Sequence, residues 1–435
     1  MRVILKNGLV FHEGKFSRMD ISIKDGRVEA LAPGIAFTEF DSVTDCSQYY
    51  IFPGLADVHV HLREPGFSYK ETIDAGTAAA ARGGYTALCA MPNLSPPPDT
   101  LKHLEEELKL IAAGARVAVR PFGCITRGGT GRGELAELEA MAPHVAGFSD
   151  DGKGVQEAET MRAAMTVAAR LGKIIAAHCE DESLAKGGYV HDGEYARRRG
   201  HRGIPPESEW RQIERDIKLV RETGSSYHVC HVSTKEGVEL VRRAKADGLP
   251  VSCETAPHYL LLCDEDLMDE GCFKMNPPIR GEADRQALLE GIMDGTIDMI
   301  ATDHAPHSEA EKSRGLKDSL MGIVGLETAL PVLFTRLVRP GIITIEKLVE
   351  LMCLAPRRRF KLGGGEIKAG EYADLTVFDP TVRYVVDQSS FLSKGRSTPF
   401  EGWRVYGETV MTFYKGRLVW NREAPEVKNE QALQV

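Results

Sequence analysis

The sequence predicts an α/β protein, a (β/α)8 TIM barrel carrying a small β-sandwich domain built from both termini. Two patterns carry that expectation. Through the middle of the chain, near-continuous apolar runs alternate with amphipathic helical stretches, as parallel strands covered on both faces by helices require. At both ends, short strand-type runs are separated by turn dipeptides. The number of apolar runs in the middle favours a closed barrel. Pattern alone also permits an open, doubly wound sheet.

At the N-terminus the strand-type runs fall at 3–5, 9–11, 21–23 and 28–31, interrupted at Asn7-Gly8 and Asp25-Gly26. In the middle they fall at 54–62, 85–91, 117–125, 145–148, 174–178, 226–232, 251–255 and 299–302. Helical stretches at 71–82, 100–113, 157–171, 209–223, 235–246 and 284–293 lie between them. The charged stretch 304–323 follows the last run and reads as a mobile loop over the barrel mouth, where βα loops build active sites. Strand-type runs return at 374–379, 384–386 and 410–414, the last followed by Lys415-Gly416. The expected division is 1–52 plus 365–422 for the sandwich, 53–364 for the barrel and 423–435 for a polar, frayed tail.

Composition narrows the function. Hydrophobic residues make up 43% and charged residues 27% of the 435-residue chain, the balance of a globular protein rather than a disordered, collagen-like or coiled-coil one. No apolar run approaches the roughly 20 residues that span a bilayer, and the start MRVILKNGLVFHEG lacks a signal-peptide core. A net charge of -9, from 54 basic and 63 acidic side chains, argues against a nucleic-acid partner. The 9 cysteines form no Cys-x-x-Cys pair and read as reduced thiols of a cytoplasmic protein.

The strongest chemical signal is Asp57-Val58-His59-Val60-His61-Leu62. Side chains two apart on a strand face the same way, so His59 and His61 are expected to project together while Val58, Val60 and Leu62 pack outward. Two adjacent imidazoles inside a barrel are unfavourable unless something uses their lone pairs, and a divalent cation does. Read alone, they could equally be ordinary half-buried histidines. The remaining donors decide: Asp150-Asp151, His178, His231 and Asp303 end the fourth, fifth, sixth and eighth runs. All sit at C-terminal strand ends, the face on which barrel enzymes work. Such a set can hold two zinc ions sharing a bridging carboxylate and a bridging hydroxide.

His228 is expected on the opposite side of the strand from His231, and His304 opposite Asp303. His12, His103, His144, His191 and His201 read as surface residues, and His258 as a group that could orient a ligand from behind. The glycine-rich segment 127–133 lacks both the P-loop ending and the Rossmann spacing, and reads as a flexible loop. The run Gly363-Gly364-Gly365 reads as a helix stop after Leu362.

These residues resemble the amidohydrolase superfamily and, within it, the long bacterial (type I) dihydroorotases. Asp57-Val-His59-Val-His61-Leu-Arg63-Glu-Pro-Gly66 and Ala301-Thr-Asp303-His-Ala-Pro-His307-Ser-Glu-Ala-Glu-Lys312 look like the two dihydroorotase signatures. Met91-Pro-Asn93, Phe148-Ser-Asp-Asp151-Gly, His178-Cys-Glu-Asp181, His231-Val-Ser-Thr234, Glu254-Thr-Ala-Pro-His258 and Lys274-Met-Asn276-Pro-Pro-Ile-Arg280 extend the likeness over nearly the whole chain. The resemblance implies reversible hydrolysis of the cyclic amide of (S)-dihydroorotate to N-carbamoyl-L-aspartate, a step of de novo pyrimidine synthesis. A zinc-bound hydroxide would attack, with Asp303 as general base and then acid. His59, His61 and Asp303 would hold one metal, and His178 and His231 a second where it is retained. Asp151 would bridge in place of the carboxylated lysine of other superfamily members, with Asp150 as the register alternative and Lys153 two residues beyond the matching position.

By the same resemblance Arg63, Asn93 and His307 would clamp the substrate carboxylate, beside His61, and Asn276 with the Met321-Gly322 backbone would hold the ring. Arg63 offers that carboxylate a bidentate fork. Allantoinases often carry Asn at that place, yet an allantoinase or hydantoinase remains the alternative. A non-catalytic homologue is a further reading, although such proteins typically lose metal ligands that this chain keeps. The partners implied are a small-molecule substrate, neither nucleic acid nor membrane, a second copy in a homodimer and, in some relatives, aspartate transcarbamoylase.

Overall fold

The computed structural model describes residues 2–423, so the expected tail lies outside the described residues apart from Glu423. Leu55–Val60, Tyr85–Ala90 and Ala118–Pro121 form one parallel group of strands. Gly147–Phe148, Ile174–Ala177, Ser226–Val229, Val251–Thr255 and Met299–Ile300 form the other. Parallel bridges Gly123–Phe148 and Val60–His304 join the groups at both seams and close the barrel.

Local chemistry sets the intervening helices. Thr72, Thr100 and Thr234 precede Ile73–Gly83, Leu101–Gly114 and Lys235–Ala246, and their hydroxyls accept from Ala75, His103 and Gly237 N–H groups. Gly84, Gly172, Gly224 and Gly295 end Ile73–Gly83, Ala158–Leu171, Glu207–Thr223 and Glu282–Asp294 in the left-handed region that glycine tolerates. Their apolar faces pack on the outward side chains of the strands, such as Val60, Leu88, Ile175, Tyr227 and Cys253.

Inside the barrel a separate apolar cluster contains Val58, Cys89, Met91, Phe122, Ile174, Ala176, Cys230 and Met299. The helix Ala355–Phe360 plugs it from below: Phe360 meets the Phe122 ring edge-on at 5.9 Å and the His228 ring at 5.1 Å. Val58 is thus not packed outward as alternation predicts. Asp57 pairs with Leu88 and Val60 with Ala90, so an extra residue is inserted between them and the alternation breaks. That helix stops at Phe360, with Lys361 left-handed at φ 54°, ahead of the three glycines expected to end it.

The two termini form one eight-stranded sheet in which Tyr50–Pro53 pairs antiparallel with Leu375–Val385. Its core holds Leu5, Val10, Ile21, Ile51, Leu375, Val377 and Phe413. Asn7-Gly8 is no turn here. Val3–His12 is a single strand with a bulge, Asn7 sitting at φ 60° and its N–H bonding the Asp20 carboxylate at 2.7 Å. Likewise 374–379 and 384–386 merge into Leu375–Val385, with irregular pairing between Asp379 and Arg383. The tight turns are Glu13-Gly14, Asp25-Gly26 and Lys415-Gly416, each with both residues at positive φ.

Over the mouth, 304–323 contains the short helices Glu309–Lys312 and Gly315–Asp318. The 9 cysteines are free thiols. Among the described residues no helix is long and apolar enough to cross a membrane.

Arg357 ties the barrel floor together. Its guanidinium donates to the Gly54 carbonyl at 2.8 Å, to Thr86 Oγ1 at 2.7 Å and to the Gly363 carbonyl at 2.6 Å. Arg357→Met leaves buried acceptors unpaired, so a loss of about 1–3 kcal/mol is expected. Thermal unfolding checks this; an unchanged midpoint would show the floor to be held by packing alone.

Candidate metal centre and substrate cavity

Four imidazoles and two carboxylates meet at the C-terminal mouth of the barrel, and all are buried. His59 Nε2 lies 3.3 Å from an Asp151 oxygen and 3.6 Å from an Asp303 oxygen. His61 Nε2 lies 3.1 Å from Asp303 and 3.6 Å from the second Asp151 oxygen. From the far side, His178 Nδ1 and His231 Nε2 approach Asp151 to 3.7 and 3.5 Å and each other to 3.0 Å. Donor atoms of His59, His61 and Asp151 form one group and those of Asp151, His178 and His231 another, so Asp151 belongs to both. His59 Nε2 and Asp151 Oδ1 are buried without a hydrogen-bond partner. A buried lone pair facing a buried carboxylate with no hydrogen between them fits a cation.

Backbone strain aims several of these groups. His231 sits at φ 36°, Asp303 at φ 48° and Arg63 at φ 63°, left-handed conformations uncommon for non-glycine residues. The twist at His231 corrects the expectation that only one of His228 and His231 points inward. The strand ends at Val229, alternation no longer applies, and both reach the interior at different depths. His304 turns away from the site as expected, its Nδ1 accepting from Gly325 N–H at 3.2 Å and its Nε2 lying 3.6 Å from Glu71.

Below the cluster lies a carboxylate to which the sequence, beyond its place in the Glu254–His258 motif, assigned no role. Glu254, fully buried on Val251–Thr255, meets His59 Nδ1 at 2.7 Å and His228 Nε2 at 3.1 Å. A carboxylate that accepts from Nδ1 fixes the hydrogen there and leaves the Nε2 lone pair aimed at Asp151. The available signal was a lone acid in the otherwise uncharged run Val-Ser-Cys-Glu-Thr. Burial opposes ionisation of Glu254, yet His59 and His228 hold it down at about 2. Asp303 is likewise lowered to about 2 by His61 and His59 against its burial.

Asp150 faces elsewhere. Its oxygens accept from the N–H groups of Ile125 at 2.7 Å, Thr126 at 3.1 Å and Gly131 at 3.2 Å, and from the Thr126 hydroxyl. The glycine-rich segment therefore spends Gly131 N–H on Asp150, and Gly128 N–H on Asp99. Lys153 does not line the cavity described next. His258 is buried with Nε2 unpartnered and makes no hydrogen bond to the cluster.

The cluster opens into a cavity of about 200 Å³ lined by His61, Arg63, Asn93, Asn276, His307, Met321 and Gly322, together with Asp151, His178, His231 and Asp303. Arg63 Nε donates to the Pro306 carbonyl at 3.1 Å, and His307 Nε2 lies 2.8 Å from the Met321 carbonyl. Asn93 Nδ2 donates to the Asp151 carbonyl at 2.6 Å, tying the second strand's end to the fourth. Asn276 Nδ2 donates to Glu180 at 3.1 Å beside His178. Of the side chains expected to contact metal or substrate, all but His59 border this one space, and His59 meets it through its Asp151 and Asp303 neighbours.

Comparison with known proteins follows the same lines. A family model described as Dihydro-orotase-like matches residues 49–237. Dihydroorotases of Geobacillus sp. (strain WCH70) and Bacillus caldolyticus are each 48% identical over 425 residues, covering 97% of this chain and 99% of theirs. Among solved structures, L-hydantoinase (dihydropyrimidinase) from Arthrobacter aurescens aligns with a TM-score of 0.87 at 28% identity, over 96% of both chains. A D-hydantoinase aligns with a TM-score of 0.84 at 23% identity, over 97% of this chain and 95% of that one, a likeness of fold. The chain belongs to the dihydroorotase family.

Proposed function

We propose that the protein is a zinc-dependent dihydroorotase, interconverting (S)-dihydroorotate and N-carbamoyl-L-aspartate in pyrimidine biosynthesis. The observation that carries the reading is one cavity bordered by the shared Asp151 carboxylate on one side and the Arg63 guanidinium on the other. His59, His61, Asp151 and Asp303 would hold one zinc ion, and Asp151, His178 and His231 a second. Bound there, such ions supply polarisation of a carbonyl oxygen and a water of lowered pKa.

The chain's own groups supply the rest. Asp303, an anion within hydrogen-bonding distance of His61, takes a proton from the attacking water and returns it to the leaving ring nitrogen. Arg63 places two parallel donors on the substrate carboxylate, with Asn93 and His307 beside it. Asn276 and the backbone at Met321-Gly322 hold the ring. A hydantoin lacks that carboxylate, and an Arg63 held in a cavity without a buried acid partner of its own is better matched to a substrate that brings one.

The family likeness also supports a homodimer, association with aspartate transcarbamoylase and a cytoplasmic setting. The strand pairing supports a division into 1–52 plus 365–422 and 53–364.

Metal analysis combined with turnover of dihydroorotate, hydantoin and allantoin tests the reading. Activity on dihydroorotate, lost on chelation and restored by zinc, is expected; turnover of hydantoin or allantoin alone would overturn it. Asp303→Asn should lower kcat by about 10²–10⁴-fold, as loss of a general acid–base does. Glu254→Gln should weaken metal binding by about 10–100-fold in chelator competition, because the tautomer of His59 is no longer enforced. Unaltered affinity would remove Glu254 from the centre's support.

A further inference from the structure

Lys70 carries no role in the reading above, yet its ammonium is buried against the substrate cavity's wall. Its Nζ lies 3.1 Å from Nδ1 of His307 and 3.1 Å from a Glu311 oxygen. On the other edge of the same ring, Nε2 lies 2.8 Å from the Met321 carbonyl oxygen. An ammonium only donates and a carbonyl only accepts. Nδ1 must therefore present its lone pair to Lys70, and Nε2 must carry the hydrogen toward the near Met321 carbonyl, so that Arg63 Nη2, farther off at 3.4 Å, lies beside Nε2 without donating to it. The opposite tautomer would set two lone pairs against each other at Met321 and leave Nδ1–H facing Glu311 Oε2 at 3.6 Å, too far for a hydrogen bond. A doubly protonated ring would turn an N–H toward the ammonium.

We propose that Lys70 is a positioning residue for the substrate carboxylate: by donating to Nδ1 it keeps His307 neutral, with its hydrogen on Nε2, the atom beside Arg63 and Met321. This rests on the reading of His307 as a contact of that carboxylate. The charged groups facing the ring are Arg63, Lys70 and Glu311, with Lys312 farther off. Burial, then Arg63 and Lys70, push the His307 pKa down to about 3, in accord with a ring that stays neutral at working pH. Glu311 does not reverse this, because its oxygens are occupied by Lys70, Tyr69 and the Ser308 N–H and hydroxyl. The arrangement has a clear use. A neutral ring that anchors the Met321 carbonyl through Nε2–H holds the wall beside the permanently charged Arg63 unchanged over a wide pH range, whereas a titrating histidine would add charge only in acid.

The test uses the metal-loaded enzyme labelled with 15N in its histidines, the His307→Asn spectrum assigning the signal. The expected result is an Nε2–H tautomer for His307 that does not change between about pH 5 and 9. In Lys70→Met the Nδ1 resonance should shift, reporting loss of the ammonium's hydrogen bond, and KM for dihydroorotate should rise about tenfold with kcat within about threefold, the loss of one charge-assisted contact. Lys70→Arg, which still donates, should restore both. An Nδ1–H tautomer in the unaltered protein, or a Lys70→Met protein with unchanged Nδ1 resonance and KM, overturns the proposal. Should Lys70→Met fail to fold, the tautomer of the unaltered protein and Lys70→Gln decide. The spectra need no turnover, so a protein inactive on dihydroorotate would sink the substrate reading while leaving the tautomer assignment standing.

Discussion

The structure is organised around one buried carboxylate shared by imidazoles from opposite sides of the barrel. Asp151 lies within 3.7 Å of ring nitrogens on His59, His61, His178 and His231. Burial works against its charge, and the facing imidazoles of His59, His231 and His61 nevertheless hold its pKa well below the usual carboxylate range. The features around the mouth support that concentration of buried polar groups. A buried, preformed set of ligands that leaves His59 Nε2 and Asp151 Oδ1 without hydrogen-bond partners is the arrangement a tightly held cation needs.

Support comes in layers. Glu254 and His228 form a polar floor directly beneath the histidines, and below them the inner apolar cluster is closed by Phe360. The polar floor fixes ring orientation; the apolar plug denies water an entry from below. Around the rim, left-handed backbone at Arg63, His231 and Asp303 is tolerated because closed strands and packed helices over-determine it. The strain gathers at strand ends, where side chains must leave the strand's alternation to converge.

The cavity wall shared by the first and eighth strand ends gathers the charges next to the metal centre. Arg63, Lys70 and His307 put two cations and a neutral ring within reach of one another, with Glu311 taking part of the Lys70 charge. The segment 304–323 contributes to this wall through buried side chains. Lys312 donates to the Lys274 carbonyl at 3.0 Å and the Leu320 carbonyl at 2.7 Å, while Gly322 N–H bonds the same Lys274 carbonyl at 3.0 Å. What hydropathy marked as a charged loop is, in its contacts, part of the cavity.

Much of this was legible in the chain itself. The (β/α)8 rhythm, the cap threonines and glycines, and the His-x-His pair with donors at later strand ends are local or periodic signals, because propensity, alternation and capping act over a few residues. The bulge at Val58, the inward turn of both His228 and His231, and the single bulged strand across Asn7-Gly8 were not, since each is decided by pairing with a distant strand. The same holds for Asp150 against Asp151. In sequence they are adjacent and identical; Asp150 is taken up by Thr126 and Gly131, which leaves Asp151 alone to face the histidines. Glu254 and Lys70 acquire their parts only from partners 195 and 237 residues away along the chain. Composition and spacing determined which chemistry the chain could perform. Closure of the barrel decided which atoms meet, because orientation at a buried site is set by long-range contacts that no local pattern encodes.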